Sequence, residues 1–248
     1  MKTSLKDKVA IVTGGTGGIG TAICKQLADS GAKVATNYRS EEKLKKWQQN
    51  DCKGYKFFAY KCDVTDFESC KKLVEAVEKE LGPVDILVNN AGITMDTTLR
   101  KMTWDQWHSV LNTNLDSVFN MSRQVVQGMT DRGWGRIINI SSINGQKGQI
   151  GQTNYAAAKA GMHGFTMALA QEVARKNVSV NTVSPGYIAT EMVMAVPEEI
   201  RKQIIAQIPL GRLGTCEEIA FVCDFLCAPE AGFITGADIA ANGGQHMM

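Results

Sequence analysis

The chain lacks the features that mark membrane, secreted or nucleic-acid-binding proteins. Its 248 residues contain no run of about 18 apolar residues, as a membrane-spanning helix requires. The formal net charge is only +2, with acidic and basic residues interspersed, so no basic surface for nucleic acid is predicted. Charged residues stand where a signal peptide would need apolar ones. We therefore expect a cytoplasmic protein that binds neither membranes nor nucleic acids.

Metal-ligating residues are also scarce. The chain has three histidines and seven cysteines, and the closest cysteines, Cys223 and Cys227, have no second ligand pair near them. An odd number of cysteines in a chain of this size indicates free thiols rather than a disulfide framework. We expect no metal site.

One domain over residues 1–248 is expected, because a chain of this length buries one large core but is short for two domains. Short β-branched segments alternate with helix-forming segments throughout. This pattern predicts about six helices, the longest at about 66–81, 104–130 and 154–175, and seven strands near 8–13, 33–37, 57–61, 84–88, 136–140, 178–184 and 238–241. Such alternation is typical of a Rossmann-type, doubly wound parallel α/β sheet.

The turn after the first strand holds Gly14, Gly18 and Gly20. Glycines there leave room for a pyrophosphate beside the backbone N–H groups of a helix N-terminus. Their spacing differs from the G-x-G-x-x-G of many dehydrogenases, so the turn alone fits either a nucleotide site or a tight turn. Its position after an N-terminal strand favours the nucleotide site.

The second strand ends in Asn37-Tyr38-Arg39-Ser40, with no carboxylate before Glu41. Dinucleotide sites for NADH usually carry an acid there, whereas a ribose 2′-phosphate needs a cation. The guanidinium of Arg39 can bind a phosphate with two hydrogen bonds, so the sequence favours NADPH over NADH. The alternative is that Arg39 is a solvated loop residue.

Tyr155 and Lys159 stand four residues apart in a helix-forming segment, and Ser142 precedes them. A phenol with a pKa near 10 is a poor acid or base at neutral pH. A cation about 4 Å away, at an effective dielectric near 20, favours the phenolate by about 4 kcal/mol, or about three pKa units before desolvation. We therefore expect Lys159 to lower the pKa of Tyr155, although the same spacing is common on solvated helix faces.

Several polar and glycine residues follow the ends of predicted strands. Asn89-Asn90-Ala91-Gly92 follows the fourth strand, Ser142 the fifth and Pro185-Gly186 the sixth. Ligands of open α/β sheets bind along this edge, so we expect the site there. The segment 185–209 has no strand and is either a mobile cover over the site or an ordinary pair of surface helices.

The chain resembles the short-chain dehydrogenase/reductase family over nearly its whole length, through Thr13-Gly14-x-x-x-Gly18-x-Gly20, Asn89-Asn90-Ala91-Gly92, Asn114, Ser142, Tyr155-x-x-x-Lys159 and Pro185-Gly186. The resemblance implies that Tyr155 is the general acid and that Ser142 steadies the substrate carbonyl. It also implies that Lys159 holds the nicotinamide ribose and lowers the pKa of Tyr155, and that Asn114 supports a water in the proton relay.

The resemblance also implies a set of cofactor contacts: Gly14, Gly18, Ile19, Gly20, Arg39, Asp63, Val64, Asn90, Ala91, Gly92, Tyr155, Lys159, Pro185, Gly186, Ile188 and Thr190. Asp63 and Val64 look like adenine contacts, and Thr190 like a nicotinamide or phosphate contact. In one respect the chain departs from the pattern, because Gly17 stands where many NADPH-using relatives carry a basic residue. Arg39 would then bind the 2′-phosphate largely alone.

Within the family, the segments 132–137, 144–149, 151–155 and 242–247 are similar to the group that reduces acetoacetyl-CoA for polyhydroxybutyrate synthesis. This implies a homotetramer that uses NADPH to form (R)-3-hydroxybutyryl-CoA. The substrate would border Asp96, Lys101, Ser142, Gln149, Gln152, Tyr155 and Tyr187.

Two alternatives stay open. Relatives that reduce 3-oxoacyl groups on acyl-carrier protein benefit from a basic patch beside the site, because carrier proteins are acidic. The candidates for such a patch are Arg132, Arg136, Arg175 and Lys176. The other alternative is a nucleotide-binding scaffold without catalytic activity.

Overall fold

Seven parallel strands form one sheet in the computed structural model, which describes residues 4–247. The strands are β1 Val9–Val12, β2 Lys33–Tyr38, β3 Phe58–Lys61, β4 Ile86–Asn89, β5 Gly135–Ile140, β6 Val178–Pro185 and β7 Asp238–Ala241. Their order is β3-β2-β1-β4-β5-β6-β7, with every neighbouring pair parallel. This confirms the predicted doubly wound α/β sheet. Residues 1–3 and 248, at the ends of the predicted domain, lie outside the described residues.

Helices cover both faces of the sheet. They are α1 Gly18–Asp29, α2 Glu41–Asn50, α3 Phe67–Leu81, α4 Trp104–Leu111, α5 Ser117–Arg132, α6 Ile143–Lys147, α7 Thr153–Val173, α8 Glu191–Met194, α9 Glu198–Ala206 and α10 Cys216–Cys227. Val9 and Ile11 of β1 pack in one apolar cluster with α3, α5 and α7, whereas Ala10 and Val12 pack in the other with α1 and α10. A central parallel strand is therefore apolar on both faces.

The helices differ from the sequence prediction in two respects. The predicted helix at 104–130 is divided into α4 and α5 by a π-helical turn, Asn112–Asp116. The structure also has more than about six helices, because α6 follows β5 directly and the segment 185–209 forms the short helices α8 and α9. None of the helices in residues 4–247 is long and apolar enough to cross a membrane.

The strand order reverses between β1 and β4. After β1 the chain runs outward to β2 and β3, and it then returns to add β4 on the other side of β1. The loops at the carboxyl ends of β1 and β4 therefore lead to opposite faces of the sheet, and a crevice opens between them. This edge is where the predicted site residues meet.

Candidate active site

The glycine turn after β1 lets another molecule approach the backbone closely. Gly14 has a φ of +64°, and a Cβ atom on Gly20 would overlap the carbonyl oxygen of Gly14. The first turn of α1 has no capping side chain from the described residues and no acidic residue. Its N–H groups and positive dipole end therefore suit a pyrophosphate.

Asn90 and Thr13 join the two loops of the crevice. The Nδ2 atom of Asn90 donates to the carbonyl oxygens of Thr13 and Gly14, at 2.9 and 3.2 Å. The Oγ1 atom of Thr13 accepts from the backbone N–H groups of Asn90 and Ala91, both at 3.0 Å. These bonds hold the glycine turn against the loop after β4.

The predicted adenosine contacts lie further along the same edge. Arg39 follows β2, and its Nη1 atom lies 3.9 Å from Oδ2 of Asp63, which follows β3. Their side chains are 63% and 45% exposed, so this ion pair is weak and the guanidinium can turn to a phosphate. Val64 is buried and its carbonyl oxygen accepts from Asn120 Nδ2 at 3.0 Å.

A cleft follows the carboxyl edge of the sheet from β4 to β6. Many of the predicted residues line it: Ile19, Asn90, Gly92, Ser142, Gln152, Tyr155, Lys159, Pro185, Gly186, Tyr187, Ile188 and Thr190. Gly18 adjoins them from α1, since a Cβ atom on it would lie 3.5 Å from the methyl group of Thr190. The fold thus brings predicted catalytic, cofactor and substrate residues to one cleft.

Tyr155 and Ser142 both line this cleft. Ser142 is the N-cap of α6, and its Oγ atom accepts from the backbone N–H of Asn144 at 3.1 Å. Lys159 lies one helical turn beyond Tyr155 on α7, and its Nζ atom donates to the carbonyl oxygen of Ile140 at 2.7 Å. This Nζ atom is 5.5 Å from the ring centre of Tyr155.

Burial, more than the nearby cation, controls the acidity of this pair. Burial raises the pKa of Tyr155 above its ordinary value, the hydrogen bond with Ser142 opposes that rise, and the charge of Asp96 adds to it. The net shift in the pKa of Tyr155 for the protein chain alone is thus upward, and that Lys159 lowers this pKa stays a prediction. Lys159 is itself buried with no acidic partner among the described residues, and this burial lowers the pKa of Lys159 to about 7.

Asn114 lies in the π-helical turn and is fully buried. Its Nδ2 atom donates to the carbonyl oxygens of Ile93 and Val110, at 2.9 and 2.8 Å, and its Oδ1 atom accepts from the Ile93 N–H at 3.2 Å. A Cβ atom on Gly92 would lie only 2.5 Å from this Oδ1. Asn114 therefore fixes the loop after β4, and its role in holding a relay water stays a prediction.

The predicted substrate residues divide into two groups. Gln152 and Tyr187 line the cleft, and Asp96 reaches it because Gln152 Nε2 donates to Asp96 Oδ2 at 2.7 Å. Lys101 and Gln149 are exposed and lie outside the cleft lining in the described part of the chain. They belong to the two segments that are joined by the bond from the Thr97 N–H to the Gly151 carbonyl oxygen, at 2.8 Å.

The cleft also contains residues that the sequence analysis did not single out. Met192 and Val193 come from α8, and Asn144 comes from α6. Both short helices begin at a capping side chain, Ser142 and Thr190 respectively. A search for capping residues directly after strand ends could have found these helices.

The cysteines of the described chain are all free thiols, and Cys223 and Cys227 lie on the buried face of α10. Burial raises the pKa of both thiols above the ordinary value. Within residues 4–247, no group of three His, Cys, Asp or Glu side chains is arranged to hold a metal ion. These two cysteines are therefore core residues through which α10 packs against its neighbours.

The sequence matches the family model of the short chain dehydrogenases over residues 8–201. It is 55% identical to an acetoacetyl-CoA reductase of Cupriavidus necator, covering 98% of this chain and 100% of that protein. It is 56% identical to an acetoacetyl-CoA reductase of Rhizobium meliloti, covering 96% and 98%. A 3-oxoacyl-[acyl-carrier-protein] reductase of Pseudomonas aeruginosa is 47% identical, covering 98% and 99%. The chain belongs to the short chain dehydrogenase family and is an oxidoreductase that takes a nicotinamide cofactor.

Replacing Lys159 by Met should make the nucleotide-free protein more stable at low pH. The pKa of Lys159 in the folded protein, about 7, lies below its ordinary value of about 10.4, so the unfolded chain binds more protons between these pH values. Burying the charged Lys159 therefore lowers the free energy of unfolding most below pH 7, and this loss disappears as the pH rises to about 10. Urea unfolding should show Lys159→Met more stable by on the order of 2 kcal/mol near pH 6.

The advantage of Lys159→Met should shrink as the pH rises through this range. Lys45, an exposed residue of α2, provides the control, because Lys45→Met removes a solvated charge. A Lys159→Met protein that is equally destabilised at about pH 6 and pH 9 would contradict the burial argument.

Proposed function

We propose that this enzyme uses NADPH to reduce acetoacetyl-CoA to (R)-3-hydroxybutyryl-CoA. The observation that carries the proposal is that Ser142, Tyr155 and Gln152 line one cleft, where a carbonyl group and a neighbouring thioester can be held together. The identity to the acetoacetyl-CoA reductases of C. necator and R. meliloti, 55% and 56%, supports this substrate. We further propose a cytoplasmic homotetramer, with one domain over residues 1–248, whose product serves polyhydroxybutyrate synthesis.

In the proposed mechanism, Tyr155 donates the proton that converts the substrate carbonyl oxygen into a hydroxyl group. A bound nicotinamide cofactor supplies the hydride for the carbonyl carbon. Ser142 donates a hydrogen bond to the same oxygen and stabilises the negative charge that develops there. Because burial raises the pKa of Tyr155, its phenol is protonated at neutral pH and can act as the acid.

The cofactor would be held by residues from both loops of the crevice. The N–H groups at the start of α1 suit its pyrophosphate, because the first turn has no acidic residue and no capping side chain from the described residues. Lys159 donates one hydrogen bond to Ile140 and keeps further N–H donors for the ribose hydroxyl groups. The other residues expected to contact it are Gly14, Gly18, Ile19, Gly20, Asp63, Val64, Asn90, Ala91, Gly92, Pro185, Gly186, Ile188 and Thr190.

NADPH is preferred over NADH in this proposal because a cation, Arg39, follows β2 directly. The side chain of Arg39 is 63% exposed and its distance to Asp63 is 3.9 Å, so little is lost when the guanidinium turns to a 2′-phosphate. Two charge-assisted hydrogen bonds to the phosphate would more than replace this weak pair.

On the substrate side, Gln152 and Tyr187 would contact the acyl thioester within the cleft, with Asp96 holding Gln152. Gln149 and Lys101 are exposed, on the two segments that the bond from the Thr97 N–H to the Gly151 carbonyl oxygen joins. In that position they would meet the coenzyme A portion rather than the reacting carbonyl.

The four basic residues that favoured a carrier-protein substrate in the sequence do not lie beside the cleft of this chain. Of the four candidates for a basic patch, Arg136 is only 2% exposed, at the start of β5. Arg132 ends α5, and Arg175 and Lys176 lie just before β6. All four are therefore at the amino edge of the sheet, whereas the cleft is at the carboxyl edge, roughly 20 Å away for strands of this length.

Replacing Tyr155 by Phe tests whether the chain is an enzyme of this kind. The variant keeps the ring but loses the acidic proton, so kcat for NADPH oxidation with acetoacetyl-CoA should fall by about 100-fold or more. The affinity for NADPH, measured by nucleotide fluorescence, should stay within about two-fold. Retained turnover in Tyr155→Phe would refute the assignment of the proton donor, and an unchanged role in the cell would favour the scaffold.

Replacing Arg39 by Ala tests the cofactor preference. The variant loses the proposed contact with the 2′-phosphate, so kcat/KM for NADPH should fall by about ten-fold or more while that for NADH changes little. Lys43→Ala, a change at an exposed residue of α2, controls for general loss of positive charge. Equal losses for both nucleotides in Arg39→Ala would contradict the assignment.

A further inference from the structure

Three side chains form a continuous line of hydrogen bonds along one wall of the cleft. Asn144 Nδ2 donates to Gln152 Oε1 at 2.9 Å, and Gln152 Nε2 donates to Asp96 Oδ2 at 2.7 Å. Asn144 is only 7% exposed and lies beside Ser142, whereas Asp96 is exposed at the mouth. These three residues are the hydrogen-bond chain of the cleft.

The carboxylate of Asp96 determines the direction of this hydrogen-bond chain. A carboxylate only accepts hydrogen bonds, so Gln152 must turn its NH₂ group to Asp96 and its oxygen to Asn144. Asn144 must then turn its own NH₂ group to Gln152. The remaining oxygen, Oδ1 of Asn144, is buried and has no hydrogen-bond partner among residues 4–247.

Neighbouring bonds hold both ends of the hydrogen-bond chain in place. Near Asp96, the Thr97 N–H donates to the Gly151 carbonyl oxygen at 2.8 Å, and Asn154 Nδ2 donates to the Met95 carbonyl oxygen at 3.3 Å. At the other end, the backbone N–H of Asn144 donates to Ser142 Oγ at 3.1 Å. The wall is therefore rigid from the mouth to the catalytic serine.

The position of the reacting carbonyl decides which part of the substrate meets each residue. In the proposed reaction the carbonyl carbon would sit beside Ser142 and Tyr155, which line the cleft, and the bulky thioester carrier would leave on the exposed side, where Asp96 lies. The thioester then faces Gln152, which has one N–H left to donate. The acyl terminus would then point the other way, towards buried Asn144.

We propose that Asn144 is a positioning and specificity-determining residue that limits the substrate to a short acyl chain. This inference rests on the proposed reduction of a 3-oxoacyl-CoA. Asn144 orients Gln152 for the thioester, and it closes the buried end of the cleft with a polar group. Each methylene group beyond the acetoacetyl length would press an apolar group against this amide, whose Oδ1 atom already lacks a hydrogen-bond partner among residues 4–247, which is unfavourable.

The test is a series of kcat and KM values for acetoacetyl-CoA, 3-oxohexanoyl-CoA and 3-oxooctanoyl-CoA. In Asn144→Ala, we expect kcat/KM for acetoacetyl-CoA to fall about ten-fold, mainly through KM, because Gln152 loses a hydrogen bond. The ratio of kcat/KM values for acetoacetyl-CoA and 3-oxooctanoyl-CoA should fall further, because space opens at the buried end. Lys147→Ala, at the exposed end of the same helix α6, should leave the ratio unchanged.

A second variant separates orientation from space. Asn144→Asp keeps the size of the side chain but cannot donate to Gln152 Oε1. It should therefore lower kcat/KM for acetoacetyl-CoA without raising kcat/KM for 3-oxooctanoyl-CoA. It also keeps the test valid if Asn144→Ala does not fold. In a Gln152→Ala background, Asn144→Ala should have less than about two-fold further effect on KM for acetoacetyl-CoA, because it acts through Gln152.

Two outcomes would overturn the inference, and they are distinguishable. Equal losses for all three thioesters, or fully additive effects of Asn144→Ala and Gln152→Ala, would show that Asn144 has only a structural role. A wild-type enzyme that reduces none of the three would instead refute the proposed function, and the inference would fall with it.

Discussion

The divergence of the chain between β1 and β4 is the constraint on which the site depends. Neighbouring parallel strands whose loops leave to opposite faces cannot close their carboxyl ends, so a crevice is obligatory. The bonds between Thr13 and Asn90 keep this crevice narrow and fix the glycine turn opposite the loop after β4. Residues after β5 and β6 reach the same edge only because the sheet continues in order from β4 to β6.

The same arrangement explains the electrostatics of the cleft. The edge is deep enough to bury the ammonium group of Lys159 with a carbonyl oxygen, that of Ile140, as its hydrogen-bond partner. Burial therefore lowers the pKa of Lys159 to about 7 and raises the pKa of Tyr155. The raised pKa of Tyr155 suits a reductase, because the reduction needs a protonated phenol. The accompanying loss of stability is of the kind expected at a functional site.

Much of this could be predicted from the sequence, because the predictions rested on periodicity and on strand ends. Alternating segments indicated the parallel sheet, and residues after strands, such as Ser142 and Gly186, had to meet at one edge. The π-helical turn at Asn112–Asp116 was not predicted, because it lies within one continuous helical segment and its residue types do not distinguish a π-helical turn from an α-helical one. The net upward shift in the pKa of Tyr155 was also not predicted, because spacing shows proximity to Lys159 but not the burial of both groups.

We propose that the cleft is built for a short acyl group on coenzyme A. The most direct measurement compares kcat/KM for NADPH oxidation with acetoacetyl-CoA and with the same acyl group on acyl-carrier protein. We expect the coenzyme A thioester to be preferred by about ten-fold or more, since none of Arg132, Arg136, Arg175 and Lys176 borders the cleft of its own chain. A preference for the carrier-protein thioester would contradict it.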